Sequence, residues 1–191
     1  MNITLDNSIL QAIDLSPFKT SNNYFYSDAG YDQYRLLCYL SSQFNDSLII
    51  DIGTANGDSA LAFSYNNTNR ILSFDIHKWN LNCEIKNCKY ILGSYMDYID
   101  DIFTSKIILY DIPHSGTNFV DFCTTLYESE FLGILILDDY TYDPVKLNDW
   151  NSALEKFKNG YTIKFIDATK YGHFTGTGII SFNNDIQFYL K

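Results

Sequence analysis

Residues 48–60 read Leu48-Ile49-Ile50-Asp51-Ile52-Gly53-Thr54-Ala55-Asn56-Gly57-Asp58-Ser59-Ala60. An apolar burst ends in the carboxylate of Asp51, two glycines flank a tight turn, and a helix-compatible segment opens at Asp58. A fully buried parallel strand ends this way when its loop must let a small nucleoside-like ligand lie against bare backbone.

Outward from that stretch, short apolar runs alternate with amphipathic ones. Ser47–Gly53, Arg70–Asp75, Lys89–Gly93, Lys106–Asp111 and Gly133–Asp139 predict five buried strands. Asp58–Asn66, Thr117–Glu130 and Lys146–Lys158 predict helices, the last stopped by Asn159-Gly160. Tyr161–Ala168 and Thr177–Phe182 share a short connection and predict an antiparallel hairpin at the sheet edge. Continuous apolar strands alternating with helices mean a parallel sheet covered on both faces. The expectation is an α/β, Rossmann-like three-layer sandwich with seven strands, mostly parallel. Residues 1–46 are expected to form an N-terminal helical cap, with Tyr34–Phe44 as a helix, and 47–191 the α/β core of a single domain.

The chain of 191 residues carries a formal net charge of −10, which argues against a long nucleic acid as partner. Cys38, Cys83, Cys88 and Cys123 lack zinc-site spacing and read as reduced, mostly buried thiols. The N-terminus has no basic n-region and no long apolar core, and no apolar run is long enough to span a membrane. A cytoplasmic protein is expected, with no membrane partner; assembly into homo-oligomers is left open.

Asp51, Asp75, Asp111, Asp138 and Asp139 all fall at the C-terminal ends of predicted strands, the edge where open α/β sheets bind ligands. The loop Gly53–Gly57 lacks the Gly-x-Gly-x-x-Gly spacing of dinucleotide folds, and Asp51 would face a pyrophosphate poorly. A cationic ligand fits better. At these residues the sequence resembles the class I S-adenosylmethionine (SAM)-dependent methyltransferases over about residues 30–182. Asp51 to Gly57 looks like the family's acid-x-Gly-x-x-x-Gly motif. The resemblance implies a cofactor site made by Asp51, Gly53, Thr54, Gly57, Ser59, Asp75, Ile76, Ser94, Tyr95 and Asp111. Asp75 would hold both ribose hydroxyls, and Ser94-Tyr95 would lie near adenine.

Adjacent strands would gather Asp111, Asp138 and Asp139, whose repulsion calls for a cation. All-oxygen ligation suits Mg²⁺, Ca²⁺ or Mn²⁺, which could hold vicinal hydroxyls and lower the pKa of one. His114, three residues after Asp111, is placed to take the proton. This second constellation resembles the macrocin-type sugar O-methyltransferases, whose Asp-x-x-His and later acid pair supply metal ligands and base. Pro113 departs from that pattern, standing where relatives often carry a second Asp, and Ile112 replaces a common Gly. His77 and His173 read as structural or surface residues, and the glycine-rich 172–178 segment as a hairpin connection.

The resulting expectation is methyl transfer from SAM to a hydroxyl of a small molecule or sugar. The Asp111/His114 loop, the Asp138-Asp139-Tyr140 loop and Tyr24, Tyr26 and Tyr31 of the cap would surround the acceptor. The alternatives are metal-independent methylation of nitrogen or carbon, or a SAM-fold protein without catalysis. A nicotinamide oxidoreductase is disfavoured by the loop spacing.

Overall fold

The computed structural model describes residues 1–81, 83–112 and 119–191. Its main sheet has seven strands in the order β4-β3-β2-β5-β6-β8-β7. They are β2 (Leu48–Ile52), β3 (Arg70–Asp75), β4 (Cys88–Leu92), β5 (Ile107–Tyr110), β6 (Ile134–Asp138), β7 (Lys164–Asp167) and β8 (Thr177–Ser181). Strands β4 to β6 run parallel, and β8 is antiparallel to both β6 and β7. The expected parallel sheet with an antiparallel edge hairpin is therefore present.

The central strands are buried on both faces because helices cover both. Alternation along each strand divides the core. Ile49, Ile71, Ile107, Leu109, Ile134 and Ile136 face one side, where they meet α2 (Asp28–Ser42) and α3 (Asp58–Phe63). Ile50, Leu72, Ile108, Tyr110, Leu135 and Leu137 face the other. There they pack under α4 (Ile99–Thr104), α5 (Phe119–Glu128) and α6 (Pro144–Lys156). Asp51 falls on the α3 side of β2, an odd position like Ile49, and so is drawn beneath the helix that follows its own loop.

The cap is not wholly helical. Before α1 (Asn7–Gln11) lies β1 (Asn2–Leu5), which pairs in parallel with β9 (Gln187–Leu190) as a separate two-stranded sheet. Ile3 and Leu5 are fully buried, so their alternation supplied a core face that the helical expectation for residues 1–46 missed. Helix α2 begins earlier than expected, at Asp28, because the Ser27 hydroxyl caps it by accepting from the Gly30 amide. Cys38 and Cys123 are buried, Cys83 and Cys88 half-buried, and all four are free thiols. Among the described residues no helix is long and apolar enough to cross a membrane.

Candidate functional site

The loop after β2 is built from below and from the side. Gly53 has φ +100°, and a Cβ there would stand 1.9 Å from the Asp111 carbonyl oxygen. Only glycine lets this loop press against the end of β5. Asp51 is fully buried and accepts from the Ser73 hydroxyl at 2.6 Å and the Ser59 hydroxyl at 2.9 Å. Burial pushes its carboxyl up to about 6, against the pull of those two hydroxyls. The Thr54 hydroxyl turns inward to Ser73. The side chains of Asp51, Thr54 and Ser59 thus brace the loop through hydrogen bonds with one another and Ser73. What the loop offers a ligand is backbone around Gly53 to Gly57.

Asp75 stands beside that loop. One carboxylate oxygen accepts from the Ala55 amide at 3.0 Å and the other from the His77 amide at 2.8 Å. A carboxylate has about four acceptor positions, so two remain for a cis-diol. A cavity of about 210 Å³ opens here, lined by Thr54, Ala55, Trp79, Leu81, Tyr90 and Leu92 as well as Asp75. Ile76, next to Asp75, is 72% exposed. Of the expected adenine pair, Ser94 caps a short 3₁₀ turn through the Met96 amide. The Tyr95 ring does not face the edge: it is packed edge-on against Tyr110 and Phe122 in the core.

The acid half of the site differs from expectation in its partners. Asp111 does follow β5, and Tyr110 lies in register with Leu137, so Asp111 and Asp138 end neighbouring strands. Between them stands a side chain that the sequence reading overlooked. Lys146, buried in the first turn of α6, donates to Asp111 Oδ1 at 3.0 Å and to the Asp138 carbonyl at 3.1 Å. The Asp143 cap and Pro144 start α6 at this edge, and that start carries the ammonium inward. The close surroundings of Asp111 and the charge of Asp138 push its carboxyl up to about 6, opposed by Lys146.

Asp138 and Asp139 instead gather around His173, contrary to the expectation of a structural or surface residue. Its Nδ1 lies 3.0 Å from Asp139 Oδ1 and 3.7 Å from Asp138 Oδ1. Burial disfavours the imidazolium, but the neighbouring Asp138 and Asp139 carboxylates outweigh it and push His173 up to about 9. The His173 hydrogen bond, with help from Thr175, holds Asp139 below the usual carboxylate range despite burial. Because β8 is antiparallel, it starts at the edge where β6 ends, with Thr177 opposite Asp138. The loop before it therefore lands on the acids. Gly176, at φ +107°, permits this approach: a Cβ would meet the Thr141 amide nitrogen at 2.5 Å.

The cap completes the cluster. Gln33 of α2 donates to Asp138 Oδ2, and the Tyr24 hydroxyl bonds His173 Nε2. Of the three cap tyrosines named from sequence, Tyr24 joins the cluster through His173. Tyr26 donates to the Phe18 carbonyl at 2.5 Å, and Tyr31 lies under the Arg35 guanidinium at 4.8 Å. His114, expected as the base, lies outside the described residues, as do Pro113 and the expected start of a helix at Thr117.

No family model and no curated protein matches this sequence. Solved structures do match in fold. Precorrin-6y C5,15-methyltransferase from Geobacter metallireducens superposes with a TM-score of 0.54 at 17% identity, covering 88% of this chain and 94% of that one. Cofactor-bound Rv0187 from MTB gives 0.54 at 10% identity, over 78% of each chain. A Staphylococcus aureus protein assigned as a caffeoyl-CoA O-methyltransferase gives 0.53 at 17% identity, over 78% of this chain and 81% of that one. The chain has the fold of the class I SAM-dependent methyltransferases.

Proposed function

We propose that this protein is a single-domain SAM-dependent methyltransferase that methylates a hydroxyl oxygen of a small molecule or sugar. One observation carries the reading. The glycine loop, braced beneath by Asp51 and flanked by Asp75, opens at the same sheet edge as a carboxylate–imidazole–ammonium cluster. The first half suits a cationic, phosphate-free nucleoside, and the second suits a polar acceptor.

The reaction is a direct in-line displacement. The carbon–sulfur bond breaks as the carbon–oxygen bond forms, sulfur keeps the electron pair as a neutral thioether, and the hydroxyl proton leaves. Holding donor and acceptor in line supplies much of the acceleration. Asp111, pushed up to about 6, is the described carboxylate suited to receive that proton. Its second oxygen is not the one bonded to Lys146. His114 remains a candidate base from sequence. Tyr24 and Gln33 join the cap to the acceptor side of the edge.

A divalent cation is part of the proposal, and the donor set fits one. Among the described residues, Asp138 Oδ1 is buried with no hydrogen-bond partner, beside a second carboxylate and an imidazole nitrogen. When bound, such an ion supplies Lewis acidity that orients vicinal oxygens and lowers a hydroxyl pKa.

Calorimetry with SAM and S-adenosylhomocysteine tests the donor half. Both should bind, and Asp75→Ala should weaken SAM by about 10–100-fold through loss of charge-assisted hydrogen bonds. Absence of binding by either ligand refutes the proposal. A labelled-methyl screen across sugars, catechols and small metabolites then identifies the acceptor. Label found on nitrogen or carbon would overturn the hydroxyl assignment.

A further inference from the structure

The cation expected from sequence was given to Asp111, Asp138 and Asp139. The geometry points to a different ligand set: Asp138, Asp139 and His173 Nδ1, with Asp111 left to Lys146. The ion this set takes is a transition divalent cation of the Mn²⁺ kind in preference to Mg²⁺ or Ca²⁺. The inference deepens the proposed reaction by naming what occupies its acceptor side, and rests on that reading only for the ion's use.

Three observations converge. Among the described residues, one carboxylate oxygen of Asp138, a residue 3% exposed, has no hydrogen-bond partner although Gln33 satisfies the other. A buried, unpartnered carboxylate oxygen is the kind of atom that a bound cation satisfies. It faces the cluster, with His173 Nδ1 3.7 Å away.

The spacing also suits one ion. The donor atoms of Asp138, Asp139 and His173 all lie within 4.8 Å of one another. Ligands held about 2.1 Å from a single ion sit roughly 3 to 4 Å apart, so a small inward adjustment of side chains closes the set. Thr175 Oγ1, 2.6 Å from Nδ1 and bonded to Asp139, is the neutral group that must turn aside or join.

Then there is the tautomer. Tyr24 occupies His173 Nε2, and the His173 amide is anchored to Thr177 Oγ1 at 2.8 Å, which fixes the ring's direction. With Nε2–H donated to Tyr24, the Nδ1 lone pair points at two carboxylates. Something positive must stand between them, and a metal ion fills that place as a proton does. Metal-bound histidines usually have the other ring nitrogen fixed in this manner.

Asp111 is excluded by charge. Its oxygen is 3.0 Å from the Lys146 ammonium, which also touches the Asp138 carbonyl. A divalent ion ligated there would stand against a buried positive charge. Replacing a carboxylate by imidazole in the ligand set moves selectivity from hard cations toward Mn²⁺ and its heavier neighbours.

The test uses the full chain, stripped with chelator, and Mn²⁺ as probe. Free Mn²⁺ is measured by electron paramagnetic resonance, and the bound ion is examined for nitrogen-14 modulation from a coordinated imidazole. Wild type should bind one Mn²⁺ with nitrogen modulation, and more tightly than Mg²⁺ or Ca²⁺ in competition. His173→Gln should lose the modulation, Asp138→Asn should lose binding, and Tyr24→Phe should bind about 10-fold more weakly. Asp111→Asn should keep both affinity and modulation. Far-ultraviolet circular dichroism of each variant confirms folding, and Tyr24→Phe keeps the test decisive if a carboxylate variant unfolds. Wild type that binds no Mn²⁺, binds it without nitrogen modulation, or prefers Mg²⁺ overturns the inference. So does loss of binding in Asp111→Asn. SAM calorimetry on the same sample separates the two ideas: Mn²⁺ binding without SAM binding refutes the methyltransferase reading alone.

Discussion

Removing the Lys146 ammonium is the sharpest probe of the acid edge. The side chain is only 6% exposed and holds two acceptors, Asp111 Oδ1 at 3.0 Å and the Asp138 carbonyl at 3.1 Å. Lys146→Met keeps most of the aliphatic volume and deletes the charge. A hydrogen bond from a charged group contributes about 1.5–3 kcal/mol, and breaking a buried pair from one side costs roughly 3–5 kcal/mol because the other charge is stranded. Asp111 retains more access to water than Lys146, which places the expected loss near the lower figure, about 3 kcal/mol. For a chain of this size each kcal/mol moves the melting temperature by about 2–4 °C, so a fall on the order of 10 °C is expected. Urea unfolding with global fitting measures the free energy directly. The double variant Lys146→Met/Asp111→Asn removes the stranded charge and should recover about 1 kcal/mol or more. A single-variant loss below about 1 kcal/mol, or a double variant as unstable as the sum of its parts, refutes the claim that Lys146 is the counter-charge of this edge.

Three other outcomes follow from the same geometry. Burial raises Asp51 from 3.8 to about 6, so its favourable contribution is complete below about pH 4 and lost as pH rises through about 6. Asp51→Asn lacks that titration, and its unfolding free energy relative to wild type should improve by on the order of 3 kcal/mol across that window; a pH-independent difference contradicts the burial argument. Gly176→Val, at φ +107° and against the Thr141 amide, should cost about 2 kcal/mol or more in urea unfolding, and a neutral result would show that the loop can deform. Asp58 accepts from the Thr20 hydroxyl and the Asn22 amide, both at 2.7 Å. Asp58→Ala should release that part of the cap, seen as faster amide exchange over residues 18–24, and unchanged exchange would mean that packing alone holds it.

The sheet was legible because its strands are buried on both sides. Such strands are mostly apolar, and the acids Asp75 and Asp138 mark where β3 and β6 end. Arg70–Asp75 was read to the residue, and Leu48–Ile52 and Ile134–Asp138 to within a residue at either end. The missed elements were those whose signal is local and weak. β1 and β9 are four residues each and are stabilised by pairing with each other across nearly the whole chain. α4 is six residues long, too short for a periodic stripe to declare itself.

The site divides along the same line. By itself the sequence determined the loop from Asp51 to Gly57, the acid at Asp75 and the row of strand-end carboxylates, because each is set by neighbours a few residues away. Only the tertiary structure decided which partners answer those carboxylates. Lys146 reaches Asp111 from 35 residues away, His173 reaches Asp139 from 34, Gln33 reaches Asp138 from 105 and Tyr24 reaches His173 from 149. None of these pairings has a spacing signature. Each depends on where an antiparallel strand begins, where a helix starts and where the cap folds back. The physical reason is that charge compensation acts through space, while a strand's pattern of burial is written along the chain.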